Sequence, residues 1–206
     1  MGKSPVKEEP KYKLEILKME LVSPSADAVL PENKLNAKKV LMVIAPKDFQ
    51  DQEYAKPKAL LEAKGIKVTV ASASKQTATG MSGLKVKPDV LIKDVRAADY
   101  DAVVFIGGNG VSRYFTDPQA LALAIEASKN QKIIGAICLA PVILAKAGIL
   151  EGKKATVSPF GKDELKKAKV HITGNIVEID GKIVTGRGPD AAADFGQALL
   201  KQLQKD

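Results

Sequence analysis

Cys138 is the only cysteine of the chain, and its position indicates chemistry more clearly than that of any other residue. Residues 132–137 form an apolar run that predicts a buried strand, and residues 140–150 predict a short helix directly after it. Cys138 then falls on the turn between them. Ala136 and Ala140, two residues to either side, are small enough for the tight strand-to-helix turn that presents a nucleophile at its apex. The spacing therefore predicts a nucleophile elbow.

The position of the thiol also suggests how it would be activated. A thiol at a helix N-terminus lies at the positive end of the helix dipole, which lowers its pKa and raises the thiolate fraction. We therefore expect Cys138 to be nucleophilic and readily oxidised. The alternative is a buried, inert cysteine that serves as a small apolar residue, which is common in proteins.

Residues that could assist Cys138 follow two other predicted strands. Glu53 lies in the first turn of the helix after strand 40–45, where a carboxyl could hydrogen-bond the thiol and act as general acid or base. The backbone N–H groups of Gly107, Gly108 and Leu139 could form an oxyanion hole. Glu53 has a simpler alternative role as an acidic residue favoured by the helix dipole alone.

The elements that would position these residues alternate along the chain. Strands covered on both faces, with helices and short connections between them, build a mostly parallel sheet, so the pattern predicts a doubly wound α/β sandwich. Residues 38–206 form this domain, and residues 1–37 read as an N-terminal extension, partly ordered. The predicted strands are 40–45, 66–72, 102–108 and 132–137, followed by short strands within 153–186 and by a last helix that Pro189 opens.

Composition excludes several classes of partner. The formal net charge of +8 comes from scattered lysines with no basic, aromatic-bearing patch, which favours a solvated surface over nucleic-acid binding. No apolar run approaches the roughly 20 residues that span a bilayer, so we expect no membrane segment and a cytoplasmic location. One histidine and one cysteine leave no cluster for a transition metal, so we expect neither a metal nor another cofactor.

Together these residues resemble the ThiJ/PfpI family. The resemblance rests on Glu53 before Pro57, on Gly107-Gly108, on Gly-Ala-Ile-Cys at 135–138 with a proline soon after, and on "VTGRGPD" at 184–190. It covers residues 39–203, about four-fifths of the chain. The resemblance implies a flavodoxin-like sandwich, a homodimer or higher homo-oligomer, Cys138 as nucleophile and Glu53 as its carboxyl partner.

The chain departs from the family pattern at the histidines. Peptidase-like members carry histidine after the cysteine, where this chain has Leu139, and this weakens the case for peptide hydrolysis. Deglycase-like members often have histidine before a proline that matches Pro159; here the residue is Ser158, which could lend a hydroxyl to the pocket. The single histidine, His171, is predicted to be an exposed strand residue rather than a catalytic base.

Two classes of function fit these features. The first is an enzyme of the glyoxalase III or deglycase type, in which Cys138 attacks a small reactive carbonyl and Glu53 moves a proton, with no metal or cofactor. The second is a redox-sensing or chaperone-like stress protein without turnover, in which Cys138 is oxidised to a sulfinic acid beside Glu53. A PfpI-type cysteine peptidase is a third possibility, weakened by Leu139.

Overall fold

The computed structural model describes residues 32–205 of the chain. Most of the predicted N-terminal extension, residues 1–31, lies outside the described residues, so its partial order stays a prediction. The described chain begins with helix α1, Glu32–Leu35, in which Leu35 is buried against the core. The ThiJ/PfpI-like domain that we predicted over 38–206 is thus described almost throughout.

Short apolar strands form the centre of the molecule. Side chains of the strands in the middle of the main sheet, at residues 40–43, 102–105 and 133–137, are buried on both faces, which explains why the sequence shows continuous apolar runs there rather than alternation. The strands in chain order are β1 Lys39–Val43, β2 Lys47–Phe49, β3 Lys67–Ser72, β4 Ala78–Gly80, β5 Lys85–Val86, β6 Val90–Leu91, β7 Ala102–Phe105, β8 Ile133–Ile137, β9 Lys154–Ala155, β10 His171–Ile172, β11 Val177–Asp180 and β12 Ile183–Gly186.

Helices and short 3-10 turns connect these strands. The helices after α1 are α2 Asp51–Ala63, α3 Pro118–Lys129, α4 Pro141–Lys146, α5 Lys162–Lys167 and α6 Ala192–Lys205. The 3-10 turns are Ile92–Asp94, Ala97–Asp99, Asn109–Tyr114, Pro159–Gly161 and Pro189–Ala191. Asp117 caps α3: its carboxylate accepts hydrogen bonds from the N–H groups of Gln119 and Ala120, both at 2.9 Å.

The main sheet has seven strands in the order β11-β12-β8-β7-β1-β3-β6. All neighbours in it are parallel except the β11–β12 hairpin, which turns at Asp180-Gly181. The chain moves from β1 to β3 in one direction and from β7 to β8 in the other. Right-handed crossovers then place α2 and α3 on opposite faces of the sheet. This confirms the predicted mostly parallel, flavodoxin-like sandwich.

The reversal of direction fixes where a site can form. In such sheets the crevice lies at the carboxyl ends of the neighbouring strands where the order reverses, which here are β1 and β7. Glu53 follows β1, Gly107 and Gly108 follow β7, and Cys138 follows β8. The topology therefore brings the predicted site residues to one edge of the sheet.

At two of the predicted boundaries that differ from the structure, the local reason is clear. The strand predicted over 102–108 ends at Phe105, because the carbonyl of Gly107 accepts a hydrogen bond from the N–H of Gln50 and Gly108 turns the chain at φ 102°. The last helix does not open regularly at Pro189: a 3-10 turn over Pro189–Ala191 precedes α6. Among residues 32–205, no helix combines the length and the apolar character that a membrane crossing requires.

Candidate active site

Cys138 lies in a strained turn between β8 and α4. Its φ of 63° is in the left-handed region, which costs a non-glycine residue about 1–2 kcal/mol. Hydrogen bonds hold the turn on three sides: Cys138 N–H donates to Gly186 O at 2.9 Å, Ser158 N–H donates to Cys138 O at 2.8 Å, and Ala140 N–H donates to Ile137 O at 3.0 Å. The backbone thus has the strained geometry of a nucleophile elbow.

The small residues on either side of the elbow are both fully buried. Ala136 lies in β8 and Ala140 directly precedes α4, and neither side chain is accessible to solvent. Larger side chains would have no room there without displacing the core. The expectation that small residues permit the turn agrees with this packing.

Glu53 reaches the elbow from the first turn of α2. Gln50 caps this helix, because its side-chain oxygen accepts a hydrogen bond from Glu53 N–H at 2.9 Å. The Glu53 carboxyl is fully buried, and its Oε2 accepts a hydrogen bond from Gly107 N–H at 3.1 Å. Oε1 has no hydrogen-bond partner among the described residues, and the carboxyl as a whole interacts with the thiol of Cys138.

Gly107 is where the carboxyl and the thiol meet. A Cβ atom at this position would lie 2.5 Å from Glu53 Oε2 and 2.6 Å from Cys138 Cβ. Such distances are too short for any real contact, so only glycine fits here. This close packing fixes the backbone of the loop after β7 against the side chains of Glu53 and Cys138.

The three predicted oxyanion donors have different partners in the structure. The N–H groups of Gly108 and Leu139 are directed to the sulfur of Cys138. The N–H of Gly107 instead donates to Glu53. A negative charge that develops beside the sulfur would therefore meet the donors of Gly108 and Leu139, while Gly107 orients the carboxyl.

Burial determines the protonation of Glu53. Removal from water raises the pKa of Glu53 to about 8, although its interactions with Cys138 and with the Gly107 N–H act in the opposite direction. The negative charge of Asp190 adds to the increase. At neutral pH the carboxyl is therefore mainly protonated.

The pKa of Cys138 differs from the sequence-based expectation. Burial, followed by the negative charge of Glu53, raises the pKa of the thiol to about 12, and the N–H groups of Gly108 and Leu139 only partly offset this. The predicted lowering by a helix dipole is wrong, because α4 has six residues and begins at Pro141, three residues after the cysteine. At neutral pH the thiol is therefore protonated, and a nucleophilic role would require a base that takes its proton.

The half-buried Cys138 opens on a cavity of about 420 Å³. The predicted pocket residues Ser158 and Pro159 line it, and Ser158 N–H is one of the groups that hold the elbow. The charged side chains of the cavity, which the sequence did not reveal as pocket residues, are Lys162, Arg187 and Asp190. The "GRGPD" segment at 186–190 was the available signal, since it contributes two of them.

His171 does not belong to this site. It is exposed on β10, which confirms that it is a surface strand residue, and it does not line the cavity. Among residues 32–205, no group of three or more His, Cys, Asp or Glu side chains could hold a metal ion. The groups available for chemistry near the sulfur are therefore a carboxyl, backbone N–H donors and the charged side chains of the cavity.

A cysteine on a strained strand-to-helix turn beside a buried glutamate, in a flavodoxin-like sheet, defines a class of α/β proteins with an elbow cysteine. The sequence profile of the DJ-1/PfpI family matches residues 38–202. The chain therefore belongs to the DJ-1/PfpI family.

Individual relatives agree with this assignment. An uncharacterized protein of Methanocaldococcus jannaschii is 45% identical over 178 residues, which cover 85% of this chain and 86% of the relative. The crystal structure of a ThiJ/PfpI domain protein from Brachyspira murdochii superposes with a TM-score of 0.80 at 34% identity and covers 82% of this chain and 97% of that one. The DJ-1beta structure of Drosophila melanogaster gives a TM-score of 0.75 at 29% identity, with 82% and 91% covered.

Proposed function

We propose that the chain is a cofactor-independent enzyme of the glyoxalase III or deglycase type, which acts on small reactive carbonyls. The arrangement that supports this is the Cys138 thiol set against the buried carboxyl of Glu53, with the N–H groups of Gly108 and Leu139 directed to the sulfur. The roles of these residues are part of the proposal.

The proposed reaction converts a 2-oxoaldehyde and water into a 2-hydroxy acid. As the sulfur of Cys138 bonds to the aldehyde carbon, the thiol proton passes to Glu53 and on to the aldehyde oxygen, which gives a hemithioacetal. Glu53 then takes the proton from that carbon and returns one to the neighbouring carbon. The first carbon is thereby oxidised to a thioester and the ketone is reduced to an alcohol. Water cleaves the thioester and restores the thiol, so the electrons balance without an external oxidant.

The two raised pKa values fit this division of work. A carboxyl with a pKa of about 8 is a stronger base than an ordinary glutamate, so it takes a proton from a weakly acidic thiol more readily. The backbone donors of Gly108 and Leu139 would stabilise the oxyanion that forms when the sulfur attacks the carbonyl.

Lactate formation from methylglyoxal tests the proposal. The wild type should produce lactate, and Cys138→Ser and Glu53→Gln should each reduce kcat/KM by a factor of about 100 or more, because each lacks a group that takes part in the steps. Glu62→Gln is the matched control, since Glu62 lies on the same helix but pairs with Lys58 at the surface. Lactate production equal in the wild type and both site variants would exclude the enzyme.

The pH dependence provides a separate prediction. Because only the carboxylate of Glu53 accepts a proton, kcat/KM should rise with pH through a midpoint near 8, the pKa of Glu53, and level off above it. Initial rates with methylglyoxal between pH 6 and pH 9.5, corrected for the uncatalysed reaction, would show this. A rate that is independent of pH over this range would exclude Glu53 as the base.

A second function has one observation in its favour. Glu53 is mainly protonated at neutral pH, so it could donate a hydrogen bond to a sulfinate on Cys138 and hold oxidation at that stage, as in a redox-sensing or chaperone-like stress protein. Intact mass after mild peroxide treatment tests this: two oxygens should add to the wild type, and further oxidation should follow in Glu53→Gln. A thiol that resists peroxide would argue against it.

The peptidase alternative has less support. The cavity contains no imidazole among its lining residues, and Leu139 contributes a backbone N–H rather than a basic side chain. The solved structure described as a putative protease I from Bacteroides thetaiotaomicron is 20% identical to the chain, so its likeness concerns the fold alone. Hydrolysis of a fluorescently labelled casein by the purified protein would support the peptidase alternative.

The assembly that the family resemblance implies and the cytoplasmic location expected from the sequence also stay proposals. We propose a homodimer or higher homo-oligomer in the cytoplasm. Light scattering after size-exclusion chromatography would give the mass of the particle, and a monomer at micromolar concentration would contradict the first part.

A further inference from the structure

The cavity onto which Cys138 opens is lined by three charged side chains. Lys162, Arg187 and Asp190 line it together with Ser158. None of these charges is needed for the proton transfers proposed above, which use Glu53 and backbone donors. Their position suggests a role in selecting the substrate.

The charges of these three side chains do not cancel. Arg187 and Asp190 form an ion pair through Arg187 Nη2 and an Asp190 carboxylate oxygen at 2.5 Å, so they neutralise each other. Lys162 has no carboxylate within ion-pair distance among residues 32–205.

The other lysines of the same region contrast with Lys162. Lys146 and Lys167 both pair with Glu164, and Lys166 pairs with Asp163 at 3.6 Å. Lys162 is thus the one cation of α5 without such a partner in the described part of the chain, and the one that lines the cavity.

We propose that Lys162 makes the site selective for carbonyl substrates that carry a carboxylate. This rests on the proposed function and specifies its substrate class: 2-oxoaldehydes with a carboxylate at the far end, rather than the neutral methylglyoxal. A single uncompensated ammonium group matches the single charge of a carboxylate. Because Lys162 is exposed, the attraction is screened by water, and we expect an effect of about fivefold rather than a hundredfold.

Alkylation tests the charge selectivity without any turnover. Iodoacetate and iodoacetamide react with Cys138 by the same displacement of iodide, but only iodoacetate is negatively charged. The ratio of their rates, iodoacetate over iodoacetamide, should fall about fivefold in Lys162→Met and stay unchanged in Lys162→Arg. Lys166→Met is the matched control, because it removes a lysine from the same helix outside the cavity. An unchanged ratio in Lys162→Met would overturn the proposal.

Turnover then separates this inference from the proposed function. With 4,5-dioxopentanoate, a 2-oxoaldehyde that carries a carboxylate, the expected product is 2-hydroxyglutarate, and kcat/KM should exceed that for methylglyoxal. Lys162→Met should remove this preference, whereas Lys166→Met, which lies outside the cavity, should keep it. If neither aldehyde is converted while the alkylation ratio still depends on Lys162, the enzyme proposal fails and the carboxylate selectivity stands. If both are converted with no preference, the selectivity fails and the enzyme stands.

Discussion

The loops that follow β7 and β8 both pass through the left-handed region of backbone conformation, but with different residues. After β7 the residue is Gly108 at φ 102°, and after β8 it is Cys138 at φ 63°. Glycine adopts such angles without steric cost, whereas a side chain costs about 1–2 kcal/mol. The fold thus uses glycine where only the backbone is required, and it accepts strain where a cysteine side chain lines the cavity.

The two loops also differ in what surrounds them. A Cβ at Gly108 would lie 2.3 Å from Asp48 O and 2.5 Å from Gln50 N, so this loop has no space for a side chain. The elbow instead has its side chain directed to a cavity and its backbone held by Gly186 and Ser158. Glu53 lies between the loops, since it contacts Gly107 in one and Cys138 in the other.

The largest effect is expected from Gly108→Ala. The new methyl group would meet both a forbidden φ and the backbone at Asp48, so the free energy of unfolding should fall by about 3 kcal/mol. Urea unfolding followed by circular dichroism measures it. Gly83→Ala is the matched control: Gly83 has φ 92° but nothing within 4 Å of a Cβ, so strain alone should cost about 1 kcal/mol. Equal losses in the two variants would show that the clash with Asp48 is unimportant.

The next effect concerns the carboxyl between the loops. Glu53 is protonated in the folded state up to a pKa of about 8 but ionises near 4.5 when unfolded. The unfolded state therefore binds fewer protons, and stability decreases as pH rises between these values. Between pH 6 and pH 8, the free energy of unfolding of the wild type should fall by about 2 kcal/mol more than that of Glu53→Gln. Urea titrations at both pH values give the difference, and parallel behaviour of the two proteins would mean that the carboxyl is not held neutral.

The smallest effect tests the strain at the elbow itself. Cys138→Gly should be more stable than Cys138→Ala by about 0.5–1 kcal/mol, because both remove the thiol but only glycine relieves the left-handed angle. Thermal unfolding of the two variants, measured side by side, is sufficient. If the alanine variant is equally stable or more stable, the turn at Cys138 is not strained, and the two loops do not differ in strain.

The sequence allowed much of the fold to be predicted. Apolar runs and short connections indicated the parallel sheet, and the end of the apolar run at residue 137 placed the turn at Cys138 correctly. The predicted end of β7 lies too far along the chain. A run of apolar and glycine residues does not reveal that the carbonyl of Gly107 accepts a hydrogen bond from the N–H of Gln50 instead of pairing with a neighbouring strand.

Less of the candidate site could be predicted. The positions of Cys138 and Glu53 at one sheet edge follow from strand order, but the sign of the thiol's pKa shift does not. That sign depends on burial, and burial depends on side chains from several distant segments. Likewise Lys162 and Asp190 are separated by 28 positions in the chain, and only the folded structure places them on one cavity.

The Leu139 N–H that faces the sulfur has an evolutionary consequence. Its hydrogen atom belongs to the backbone, so no replacement of the side chain other than proline removes it. Histidine and leucine codons differ by a single base, CAU to CUU or CAC to CUC. A lineage can therefore exchange an imidazole for an aliphatic group beside the elbow cysteine in one mutational step and still keep the donor. Such a step would alter the chemical surroundings of the thiol while leaving the architecture that holds it intact.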